Sequence, residues 1–145
     1  MPVVTPFHDD FEVNMEGLVA VTNRCLVAGV SGIVACGTTG EYHALSHEER
    51  VSVMTRIRDV VTGEAQLVAG CNAGTTREAI ALGRVGADLG YDAIVLAAPT
   101  DFASDASRVG RSRDRCRRIR SSGHLVQLSG PRRCRVLFRM PRPAR

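Results

Sequence analysis

Five consecutive residues, Gly37-Thr38-Thr39-Gly40-Glu41, hold the densest polar chemistry in this sequence. Two glycines allow a tight turn that exposes backbone N–H groups, and two adjacent hydroxyls add donors that converge on a small volume. Such a loop suits a carboxylate or another small oxyanion, which takes several short charge-assisted hydrogen bonds. Taken alone, the same residues also read as an ordinary Gly-Thr turn with Glu41 in solvent. The loop is not a nucleotide cradle, because it has neither a Gly-Lys-Ser/Thr ending nor three spaced glycines. Other reactive residues nearby are weaker candidates. His43 and His47 are four apart, but the Ser46 cap leaves His43 in a loop and His47 at a helix start, so they do not share a helical face as zinc ligands. Cys36 precedes the loop at a strand end, a position that can be catalytic, yet no neighbouring base is evident and a small buried residue is the usual case. No Ser has the Gly-x-Ser-x-Gly context of a nucleophile elbow.

The elements that would position this loop are legible from caps and apolar spacing. After an extended Pro2 to Phe7, Asn14 caps a predicted helix with Leu18, Val21, Cys25 and Leu26 on its apolar positions, and Gly29 stands where a left-handed residue ends it. Gly32 to Cys36 is an apolar run of strand length. Ser46 and Glu49 form a capping box ahead of Val51, Met54 and Ile57, and Gly63 closes that helix. Gln66 to Ala69 reads as the next strand. Thr75 and Glu78 make a second capping box before Ala79, Ile80, Leu82 and Val85, with Gly90 at the end and Ala93 to Ala97 as the following strand. This is the beat of βα units. The strands are continuous apolar runs, as in a parallel sheet covered on both faces. Rhythm alone leaves a barrel and an open doubly wound sheet as alternatives.

Composition separates the chain into two parts. The 145 residues have 44% hydrophobic and 23% charged side chains, values of a globular domain, and no apolar run long enough for a membrane span. All 19 basic side chains are Arg, so a mechanism needing a lysine amine is excluded for this polypeptide acting alone. Residues 1 to 107 carry 6 Arg and 14 acids, whereas residues 108 to 145 carry 13 Arg and one acid, Asp114. A switch of that size marks a boundary. The five cysteines, Cys25, Cys36, Cys71, Cys116 and Cys134, have no C-x-x-C spacing. With no secretory segment ahead of them, a reducing, cytoplasmic setting is expected, without a disulfide framework or a structural metal.

Several of these residues together resemble a known family. Val4-Thr5-Pro6-Phe7, then Gly37-Thr38-Thr39-Gly40-Glu41, then Leu45-Ser46-x-x-Glu49-Arg50, Val68-Ala69-Gly70 and Pro99 match in order and spacing the dihydrodipicolinate synthase / N-acetylneuraminate lyase group of class I, Schiff-base aldolases. The resemblance covers about residues 2 to 103. It implies a TIM (β/α)8 barrel of which this chain supplies about four βα units, with residues 1–103 as the partial barrel. It also implies a lyase of the 4-hydroxy-tetrahydrodipicolinate synthase or 2-oxo acid aldolase type, condensing or cleaving pyruvate-like 2-oxo acids without a cofactor, in a homo-oligomer. Thr38 and Thr39 would bind the substrate carboxylate, and Thr38 would enter a proton relay. A Schiff base turns the substrate carbonyl into an electron sink, and an anchored carboxylate orients it.

The departures from that family are as informative. The family's nucleophilic lysine lies downstream on a later strand, and no lysine exists here; the remaining primary amine is the Met1 α-amino group. The family's relay tyrosine is also downstream, whereas the tyrosines here are Tyr42 and Tyr91. Thr100 and Asp101 follow Pro99 where many members have aromatic residues. The chain is therefore expected to be inactive alone, and an unclosed half-barrel either dimerises or aggregates. Residues 104–145 are expected to form an Arg-rich irregular tail. Its composition fits a frameshifted or chimeric end, since a G+C-rich gene read out of frame yields Arg, Pro, Ser, Gly and Cys. The alternative is a nucleic-acid-binding arm, whose cations, among them Arg111, Arg113, Arg115, Arg117, Arg118, Arg120, Arg132, Arg133 and Arg135, would neutralise phosphates.

Overall fold

A computed structural model describes residues 1–97, 125–129 and 135–139. Three helices and three strands alternate through the first part: α1 (Met15–Val27), β1 (Gly32–Ala35), α2 (His47–Val60), β2 (Gln66–Gly70), α3 (Thr76–Asp88) and β3 (Ala93–Ala97). Two more strands follow, β4 (Leu125–Ser129) and β5 (Arg135–Arg139).

Each helix starts where its cap dictates. Asn14 accepts a 2.7 Å hydrogen bond from the Gly17 N–H, and Ser46 and Glu49 close a reciprocal capping box at 3.2 and 2.6 Å. Thr75 accepts from the Glu78 N–H at 3.2 Å, but Glu78 is drawn elsewhere, so only half of the expected second box forms. Gly29 and Gly90 take the left-handed conformation after α1 and α3, at φ +73° and +75°. Gly63 does not; α2 ends at Val60, three residues before it.

Strands β1, β2 and β3 pair in parallel, and the sheet continues in the order β1-β2-β3-β5-β4 with the last two pairings antiparallel. The register places Ile33 beside Leu67, Ala35 beside Ala69, and Ala69 beside Ile94. This row is buried and joins Leu18, Val53, Met54, Ile57, Ala79 and Leu82 of the helices in one core. The other row behaves differently. Val34, Val68 and Val95 are half-buried and Gln66 is exposed. Continuous apolar strands predict cover on both faces, but only the helix-side face is fully covered among the described residues. The second face is the one that would line the interior of a closed barrel.

Two further differences concern strand count. Pro2 to Phe7, expected to be extended, forms no named strand but two isolated bridges, Pro2 with Val34 and Phe7 with Val13, and the Val3 N–H donates to the Val34 carbonyl at 3.2 Å. Pro2 and Pro6 carry no N–H, which leaves few donors for a longer ladder. Within residues 104–145, expected to be irregular, 125–129 and 135–139 are strands. Pro99, Thr100, Asp101, Asp114, Cys116, Cys134, Arg132, Arg133 and the Arg111 to Arg120 run lie outside the described residues.

Candidate functional site

The loop between β1 and α2 leaves the C-terminal end of β1, where a parallel α/β sheet carries its chemistry. Cys36 opens it with φ +51°, in the left-handed region, and Gly37 continues in extended backbone at φ −79°. Thr38–Gly40 and Tyr42–Ala44 then form two short 3₁₀ turns, separated by Glu41, also at φ +51°. The left-handed positions thus fall on Cys36 and Glu41 rather than on the two glycines. Gly40 is required for a different reason: a Cβ there would come within 2.9 Å of the Val3 carbonyl. Its own carbonyl accepts a 2.8 Å hydrogen bond from the buried Thr5 hydroxyl.

The scattered motifs therefore meet in space. The reversal at Cys36 pushes its carbonyl against β2, and a Cβ on Gly70 would overlap that carbonyl. Thr5 from the first motif, Gly40 from the second, Arg50 from the third and Gly70 from the fourth all support one loop. Thr38 and Thr39 are exposed on it, and neither hydroxyl has a hydrogen-bond partner among the described residues.

Arg50 belongs to the third motif, where its residue type alone assigns it no role. It is buried, 2% exposed. One guanidinium nitrogen, Nη2, donates to the Gly70 carbonyl at 3.0 Å, and Nη1 lies 3.8 Å from Glu78 Oε1, the carboxylate missing from the second capping box. The guanidinium carbon stands 5.3 Å from the centre of the Tyr42 ring. A sequence signal existed: positions 50, 53, 54 and 57 follow helical spacing, so Arg50 is a cation on an otherwise apolar stripe.

Cys36 and Cys71 are buried beside Arg50. Burial pushes the Cys36 thiol up to about 11 and the Cys71 thiol up to about 12, against the downward pull of the Arg50 charge. Cys36 donates to the Arg50 carbonyl at 3.6 Å. Both are thiols at neutral pH, not nucleophiles. Tyr91 is equally enclosed; its hydroxyl donates to the Met54 carbonyl at 2.8 Å, and burial raises its pKa well above the usual value. His43 is exposed on the second 3₁₀ turn and His47 opens α2. No group of three metal-ligating side chains occurs among the described residues. The Met1 amine donates to the Gly32 carbonyl at 2.7 Å, at the start of β1 and so at the opposite end of that strand from Thr38.

Parallel βα units in sequential strand order, with an exposed hydroxyl loop at the strand ends, fit a segment of a β/α barrel, and the solved structures that superpose on the chain are of the TIM-barrel class. The sequence profile of the dihydrodipicolinate synthetase family matches residues 1–102, and the chain belongs to that family. The 4-hydroxy-tetrahydrodipicolinate synthase of Methanocaldococcus jannaschii is 44% identical over 97 residues, which are 67% of this chain and 33% of the relative. A crystal structure of a dihydrodipicolinate synthase superposes with a TM-score of 0.74 at 38% identity, over 83% of this chain and 41% of that one. A prophage protein of the family from E. coli K12, solved in complex with pyruvate, gives a TM-score of 0.74 at 26% identity, over 83% of this chain and 40% of its own. The chain spans about a third of the length of the curated relatives it matches.

Proposed function

We propose that this chain carries the carboxylate-binding part of a 2-oxo acid aldolase site and does not itself form the Schiff base. Thr38 and Thr39 bind the carboxylate of a pyruvate-like 2-oxo acid through their hydroxyls, and Thr38 takes the relay position that family resemblance gives it. The observation that carries this reading is the pair of exposed, unengaged hydroxyls on a loop held by Thr5, Gly70 and Arg50. The family relative solved with pyruvate supports the ligand class. Lyase chemistry through a lysine amine is beyond these 145 residues, which contain none. An orienting site therefore remains without its electron sink.

Titrating the full chain with pyruvate, followed by backbone amide NMR, tests this. Shifts confined to residues 36–42, lost in Thr38→Val and Thr39→Val, are expected; an unresponsive loop overturns the reading. Borohydride with pyruvate should leave no adduct, as the Met1 amine sits at the far end of β1.

A second reading rests on the 13 arginines of residues 108–145. Neutralising several phosphates would make nucleic-acid binding fall steeply with salt. A shallow salt slope, or binding unchanged after removal of 108–145, rejects that reading.

A further inference from the structure

Two features weaken the hold that the Thr38–Thr39 loop has on its own shape. Cys36 and Glu41 both sit at φ +51°, a conformation that disfavours side chains with a Cβ, and neither 3₁₀ turn has a side-chain cap. Besides its own backbone hydrogen bonds, side chains from other elements brace the loop. Thr5 does so at Gly40. The remaining supports converge on one side chain.

We infer that Arg50 is the positioning residue of the Thr38–Thr39 loop, acting as a latch through the plane and fork of its guanidinium. Two side-chain contacts carry this. The guanidinium faces the Tyr42 ring, just after the two threonines, at 5.3 Å. Its Nη2 is fixed on the Gly70 carbonyl, at the end of β2. The Cys36 thiol, just before the threonines, donates a hydrogen bond to the backbone carbonyl of the same residue, which fastens the loop to α2 independently of the guanidinium. The two threonines are thus bracketed, in sequence, by contacts to one residue of α2. Glu78 completes the arrangement, but at 3.8 Å and 40% exposed it is a weak ion pair.

The side chain is chosen for shape as well as charge. A buried cation is costly and persists only with good partners. A guanidinium spreads its charge over a broad plane that reaches an aromatic face and a carbonyl at once from fixed positions, whereas an ammonium is a compact point charge that cannot match that geometry. Nε has no partner among the described residues, so the cation is not held by a complete set of hydrogen bonds. The ring face and the Gly70 carbonyl are its main restraints, which couples the loop directly to this side chain.

Amide hydrogen exchange on the full chain tests the latch, read at the N–H groups of Gly40, Glu41, Ala44 and Leu45, all of which are hydrogen-bonded within the loop. Arg50→Lys and Arg50→Met should each accelerate these amides at least tenfold while the α1 amides stay within twofold. Glu78→Gln should leave the loop within threefold of wild type. Unchanged loop exchange in Arg50→Lys overturns the inference, and so does equal acceleration of loop and α1, which would make Arg50 a general support of the core. If Arg50→Met does not fold, Arg50→Lys decides. The ligand consequence rests on the carboxylate reading above: Arg50→Lys should weaken pyruvate binding at least tenfold. A wild-type chain that ignores pyruvate defeats that reading alone, because loop exchange still decides the latch.

Discussion

The parallel unit β1–β3 and the antiparallel pair β4–β5 belong to one sheet yet are specified in different ways. In the first, every strand is followed or preceded by a helix whose ends are written locally, by Asn14, Ser46 and Thr75. In the second, β5 lies against β3 where a barrel would place its next parallel strand, but runs the other way. Strand alternation puts Val126, Leu128, Val136 and Phe138 in the register row of Ile94 and Leu96, and Arg135, Leu137 and Arg139 in that of Ala97, Val95 and Ala93. In register, the row of Ile94 and Leu96 continues in apolar residues alone, whereas the row of Val95 continues in a mixture, Leu125, Gln127, Ser129 and Leu137 with Arg135 and Arg139. A sheet edge accepts any extended segment with a compatible two-residue pattern, in either direction, whereas a βα unit needs a helix of suitable length and capping. The contrast can be broken at defined positions.

The largest effect belongs to Gly70. Gly70→Ala drives a methyl into the Cys36 carbonyl, so either the left-handed turn at Cys36 or the β1–β2 pairing must give way. A loss of about 3 kcal/mol in urea unfolding is expected, at the upper end for overpacking. A loss below about 1 kcal/mol would mean that the Cys36 turn moves freely, and that the first part is no more tightly specified than the second.

Alkaline pH strikes the same place from another direction. Cys36 and Cys71 have folded pKa values of about 11 and about 12, above the ordinary thiol value of 9.0. Between pH 9 and those values the unfolded chain has released thiol protons that the folded chain retains, so stability is full below pH 9 and falls as pH rises. Each thiol contributes up to about 1.4 kcal/mol per pH unit in that window. Urea midpoints at pH 8, 9, 10 and 11 should decline above 9, and the decline should be shallower in Cys71→Ala. Tyr91 adds a change of the same sign, which remains in that variant.

Thr5→Val removes the donor to the Gly40 carbonyl and should cost about 1.5 kcal/mol, chiefly through an unpaired buried acceptor. Ser46→Ala, which opens the capping box of α2, should cost about 1 kcal/mol. Both are read as shifts in urea midpoint at constant slope. An effect of Ser46→Ala larger than that of Thr5→Val would place the stability of the first part in its helices rather than in its loop supports.

Local signals explain which features could be read from sequence. Caps are chemistry between residues three apart, so α1 and α2 were legible from their first turns, and β1, β2 and β3 from short apolar runs. The half-made box at Thr75 was not legible, since the Glu78 carboxylate lies toward Arg50, 28 positions earlier. Nor was Arg50, whose partners Tyr42, Gly70 and Glu78 come together only through the fold. Thr38 and Thr39 were singled out by type and stand exposed on the loop, while the residues that hold them there came from separate motifs. In the tail, the arginine excess masked a two-residue alternation in Leu125–Ser129 and Arg135–Arg139. Composition averages over the spacing on which a strand depends.

The smallest expected effect is the sharpest test of the contrast. Leu137 stands opposite both Val95 and Gln127, so Leu137→Pro removes a backbone donor from one of the two ladders of β5 and forces its φ. If the first part is specified by its own caps, core and loop supports, its unfolding free energy should change by less than about 0.5 kcal/mol. Amide exchange would then accelerate in β5 and along β3 but not in α1 or α2. If α1 and α2 lose protection together with β5, the edge of β3 cannot remain bare without destabilising the parallel unit. The five strands would then be one cooperative body, and the antiparallel pair would be part of what lets a third of a barrel stay folded.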